Sequence, residues 1–80
     1  MTRTEYQIVY PDGDAQEIGR RLRINELVDV NGSPLRLPLP SPMMIVYRVY
    51  RMSTDTEIGL ETISFHLEQL SRPELEELTG

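Results

Sequence analysis

"LETISFHLEQL", residues 60–70, reads in two ways, and the choice settles the class of fold. As a helix, Leu60, Ile63, Leu67 and Leu70 share one face, and Thr54-x-x-Glu57 upstream has the spacing of a capping box. As a strand, Ile63, Phe65 and Leu67 alternate at period two with Thr62, Ser64, His66 and Glu68. The phenylalanine arbitrates. At roughly 100° per residue it would lie almost opposite the helical apolar face, leaving the chain's single phenylalanine in water, whereas a strand buries it. The reading is therefore a strand over 60–69.

Downstream, "SRPELEEL" carries a helix start: Ser71 as N-cap, Pro73 and Glu74 in the first turn, and Leu75 and Leu78 facing inward. A short closing helix is expected over 72–78. Upstream, "MMIVYRVYRM" (43–52) has only Arg48 and Arg51 that are not apolar or aromatic, so as a strand both of its faces are apolar and each carries one arginine. The odd positions Met43, Ile45, Tyr47 and Val49 are assigned to the core. Met44, Val46, Arg48, Tyr50 and Met52 then point outward, where a solvated face would alternate with polar residues.

Further towards the N-terminus, "RTEYQIVY" alternates as a half-buried strand, with Tyr6, Ile8 and Tyr10 on one face, and "PDGD" (11–14) supplies hairpin chemistry. Residues 15–25 read as a strand with a helical turn near 15–19, placing Leu22 and Ile24 on one face and Arg21 and Arg23 on the other. Asn31-Gly32 is the dipeptide preferred by two-residue type I′ turns. It predicts a hairpin between "NELVDV" and "SPLRLPLP", with Leu35, Leu37 and Leu39 pointing one way. Pro38, Pro40 and Pro42 strip the donors from one side of an extended chain, so this segment is expected at an edge or as a free arm. No P-x-x-P spacing is present to suit a polyproline ligand.

Together these elements predict a mainly β fold: a small antiparallel five-stranded barrel or curled sheet of SH3-like or OB-like size, with a short C-terminal helix, forming one domain over 1–80. At this length folding buries only a little over roughly 60% of the unfolded chain's surface, so a partner subunit would add stability.

Composition narrows the function. No cysteine is present, which removes disulfides, thiolate metal sites and cysteine nucleophiles together. His66 is the single histidine. A Ser64-His66-Glu68 set along one strand face would space its side chains by about 7 Å, too far for a proton relay. "DGD" at 12–14 and "DVNGS" at 29–33 lack the run of oxygen ligands of a calcium loop. The glycines are isolated, so no phosphate cradle exists. No enzyme, metal or cofactor is expected. The N-terminus "MTRTEYQ" has no apolar export segment and no apolar run is long enough to span a bilayer, so a cytoplasmic chain is expected.

All eight basic residues are arginine. Residues 1–54 hold seven arginines against six acids, a net +1, and residues 55–80 hold seven acids against Arg72, a net −6. Two functional expectations follow. The first is a non-catalytic interaction module or small subunit that docks another protein, or a second copy of the chain, through Met44, Val46, Arg48, Tyr50 and Met52. Methionine, tyrosine and arginine are enriched at interface centres. The second is binding of single-stranded nucleic acid by Arg21, Arg23, Arg48, Tyr50 and Arg51, with tyrosine stacking bases and arginine holding phosphate. The acidic balance opposes the second, because phosphate neutralisation supplies most non-specific affinity.

Overall fold

The computed structural model describes residues 2–80. Five strands, β1 (Arg3–Val9), β2 (Ala15–Ile18), β3 (Leu27–Val28), β4 (Tyr47–Glu57) and β5 (Leu60–Gln69), precede one helix, α1 (Arg72–Leu78). They form a single sheet in the order β2-β1-β5-β4-β3, curled into a half-barrel. The strand over 60–69 and the helix over 72–78 are as the sequence predicts. The sheet is mixed rather than purely antiparallel: β1 and β5 run parallel from Arg3 opposite Leu60 to Val9 opposite His66. The largely irregular stretch 19–46, which includes β3, carries the chain across, so the β4–β5 hairpin returns beside β1 instead of extending a simple meander.

Turn chemistry explains the hairpins. Tyr10 N–H donates to Asp14 C=O and Gly13 N–H to Tyr10 C=O, with Gly13 at φ 96° and Asp12 Oδ1 accepting from Asp14 N–H. The turn at 29–33 differs from the type I′ expectation. Gly32 is at φ 81°, but Asn31 is not in the left-handed region. Asp29 Oδ1 instead accepts from the N–H groups of Asn31 and Ser33, and Gly32 N–H donates to Asp29 C=O, so the carboxylate organises a longer loop. The hairpin beyond it is brief: Val28 bridges Pro34, and Leu35 N–H reaches Leu27 C=O.

The concave face of the sheet holds the main core. Ile8, Leu22, Val28, Val49, Ile63, Phe65 and Leu67 are buried there, flanked by Tyr6, Tyr10, Ile18 and Tyr47. Phe65 stacks on Tyr6 with centroids 6.1 Å apart, and Tyr10 meets Tyr47 edge-on at 5.7 Å. The strand predicted through 15–25 stops at Ile18, and residues 15–18 pair with β1 as strand β2 instead of forming the expected helical turn. Beyond it the irregular chain drops Leu22 into the core and leaves Ile24 half exposed, so those two residues do not share a face. Asn25, at φ 72°, turns the segment so that its N–H donates to Val49 C=O.

A second, smaller core lies on the opposite face, under α1. Leu39, Val46, Leu70 and Leu75 are buried there, with Leu27, Leu35, Met44 and Leu78 against them. The helix begins with a complete capping box: Ser71 Oγ accepts from Glu74 N–H, and the Glu74 carboxylate accepts from Ser71 N–H at 3.0 Å. The Ser71 N–H, and after it the Ser71 hydroxyl that also donates to this carboxylate at 2.9 Å, hold the Glu74 carboxyl below its ordinary range. The proline-rich segment is neither sheet edge nor free arm. Leu39 N–H donates to Leu78 C=O and Gly80 N–H to Leu39 C=O, pinning it to the end of the helix. Leu39 is buried while Leu37 is exposed, because the segment is not a regular strand and the period-two expectation for Leu35, Leu37 and Leu39 does not apply.

Candidate docking surface

β4 starts at Tyr47 and carries one extra residue, which decides where its side chains go. Val49 pairs with Leu67 and Arg51 with His66, leaving Tyr50 as a bulge. Side-chain parity therefore inverts. Before the bulge Arg48 sits opposite Glu68 on the convex face; after it Arg51 sits opposite His66 on that same face, and Met52 sits opposite Phe65 on the concave one. Both arginines of the stretch share a face, contrary to the sequence reading of one on each.

The five residues assigned to docking are consequently divided. Val46 has no exposed surface and belongs to the small core beneath α1, so it is unavailable to a partner. Met44 packs against the same core. Arg48 binds the Glu68 carboxylate through Nε at 2.8 Å and through Nη2, and lies 3.6 Å from Glu74 of the helix. Tyr50 and Met52 remain half exposed, but the bulge puts them on different faces. In the core-facing set Tyr47 and Val49 lie inward, whereas Met43 and Ile45, which precede the strand, are exposed.

The residues assigned to nucleic acid are divided too. Arg48 is committed to carboxylates. Arg51 lies on the convex face with its Nη2 3.4 Å from His66 Nε2. Arg21 reaches the Met52 sulfur from the irregular segment at 20–25, and Arg23 lines an open hollow there with Arg20, Ile24, Asn25 and Glu26. Tyr47, Tyr6 and Tyr10 pack against the main core, which leaves Tyr50 without a second tyrosine to build a stacking platform.

His66 meets Ser53 rather than Ser64. Ser53 Oγ lies 2.8 Å from His66 Nε2, while Ser64 is bonded to Gln7 and Glu68 to Arg48. Burial, and secondarily the charge of Arg51, pushes the imidazole pKa down. Among the described residues no acid orients its other nitrogen, so the pair lacks the third member of a nucleophilic relay. No grouping of metal-ligating side chains occurs among the described residues, and no helix there is long and apolar enough to cross a membrane.

Two features of this surface lie outside the sequence reading. β4 continues to Glu57, five residues past "MMIVYRVYRM", and β3 covers only its first residues, so 51–57 pair with β5 on one side and with no other strand among the described residues. The alternation of Thr54 and Thr56 with Asp55 and Glu57 is the signal that marks this extension. Ile58, at the hairpin tip, is fully exposed.

A family model matches residues 2–78. The chain belongs to the family "Uncharacterised Treponema protein", and is thus of bacterial type. No curated protein and no solved structure matches it.

Proposed function

We propose that this chain is a non-catalytic protein-interaction subunit that docks through the distal half of β4. One observation supports this most: over 51–57 β4 is paired with β5 on one side only, and its other edge has no strand partner among the described residues, with exposed Tyr50, Met52 and Ile58 along it. An open edge of this length beside apolar side chains offers a template for strand addition. A cytoplasmic setting is part of this proposal.

Photo-crosslinking residues placed singly at positions 50, 52 and 58 in cells test it. A protein adduct, either to the chain itself or to another polypeptide, is expected at these positions, and none from position 17 on β2. Absence of protein adducts at all three sites overturns the reading. So does binding of a mixed-sequence oligonucleotide that falls steeply with salt.

A further inference from the structure

The free edge of β4 is complementary to itself. Val49 turns its N–H and C=O away from β5, to Glu26 and Asn25, and the extra residue at Tyr50 then resets the alternation. At the far end Glu57 and Leu60 close a two-residue turn, and such a closing pair exchanges its hydrogen bonds within the hairpin. Arg51, Ser53, Asp55 and Glu57 are thereby directed to β5, and Met52, Thr54 and Thr56 present N–H and C=O outward. The free stretch has definite ends. Asn25 and Glu26 occupy the edge at Val49, and the Ile58–Gly59 turn closes the other side.

We infer that this edge pairs antiparallel with the same edge of a second copy of the chain, centred on Thr54. The inference rests on the docking reading above and names its occupant. Outward-facing residues must oppose outward-facing ones, and among the registers that satisfy this only the one centred on Thr54 uses the whole of 51–57. It sets Thr54 against Thr54, Met52 against Thr56, Ser53 against Asp55 and Arg51 against Glu57. The two Arg51–Glu57 pairs related by the two-fold axis lie on the convex face, opposite in charge at cross-strand distance. A strand from an unrelated protein would need to bring its own acid and base at this spacing; the chain already carries both. The same register brings Ile58, fully exposed in the monomer, alongside the second copy's Tyr50. Two half-barrels then share one continuous sheet, and the edge that invites aggregation is closed.

Sedimentation velocity over a concentration series decides the matter, using the wild-type chain, Thr54→Pro, Arg51→Glu, Glu57→Arg and the doubly reversed chain, each checked for fold by circular dichroism. The wild type sediments as a dimer. Thr54→Pro is monomeric with an unchanged spectrum, because proline is tolerated where the N–H faces outward. Each single reversal weakens the dimer at least about tenfold, and the double reversal restores it. A wild-type monomer at the highest soluble concentration overturns the inference, as does a dimer that survives Thr54→Pro or a double reversal without recovery. If Thr54→Pro misfolds, the charge-reversal set decides alone. A monomeric wild type leaves the docking reading standing, since that reading falls only if the crosslinkers at 50, 52 and 58 capture no protein or the oligonucleotide result goes against it.

Discussion

The two ends of β4 behave as different structures built on one strand. Its base, Tyr47–Val49, is bonded to β3 on one side and β5 on the other, and continues from Val46, which α1 covers. Its arm, Tyr50–Glu57, is exposed throughout and has β5 as its only strand neighbour. Apolar content alone does not distinguish them, since Met52 and Tyr50 are as suited to a core as Val49. What differs is whether another element arrives to cover the strand. Burial here is decided by the helix and β3, which meet only the base.

Substitutions separate the two ends, the largest effect coming from the base. Val46→Lys buries an unpaired ammonium among Leu39, Leu70 and Leu75 and is expected to cost about 4 kcal/mol or more, enough to abolish a cooperative melt. A melt within a few degrees of wild type would mean that the helix does not seal the base. Leu75→Ala removes the buried helix contact and is expected to cost about 3 kcal/mol by denaturant titration. Ser71→Ala breaks the capping box at about 1 kcal/mol, lowering the melting temperature while leaving amide exchange in the arm unchanged.

The arm and the β5 residues opposite it respond weakly. His66 is held below its ordinary pKa by burial and by Arg51, so the unfolded chain takes up a proton first as pH falls through 6.5. The stability it contributes is full above pH 6.5 and declines from there down to the folded pKa, then stays level. His66→Gln should remove that slope from a pH series of melts, and an unchanged slope would assign it to other groups. Met52→Lys, on the exposed arm, should alter monomer stability by less than about 0.5 kcal/mol, which makes it the direct counterpart of Val46→Lys.

Much of this was legible in the sequence for local reasons. Phe65 identified β5 because the two periods make opposite demands on one large side chain, and Ser71 with Glu74 marked the helix because a cap is a short-range pattern. Sequence and structure part where contacts are long-range. Period-two counting places Val46 outward because it does not register the arrival of α1, and it places Met52 on the face of Arg48 because no glycine or proline marks the bulge at Tyr50. Asn31-Gly32 misled because Asp29, two residues earlier, supplies a carboxylate that captures the turn. Of the candidate surface, Tyr50 and Met52 are legible in the sequence, but the open edge depends on β3 being only two residues long, and nothing in "ELVDV" forecasts that.

Tyr50 has a role that depends on counting rather than on chemistry. It is the one position in β4 whose removal would leave the remaining rungs aligned, since Val49 and Arg51 already face adjacent residues of β5. Its deletion would straighten the strand, because a surplus residue is what increases local twist and bends it. The angle at which the arm leaves the body is therefore set by chain length, so an insertion or deletion at this point would act as a change of hinge setting, while the same event elsewhere in the strand would be a frameshift of its two faces.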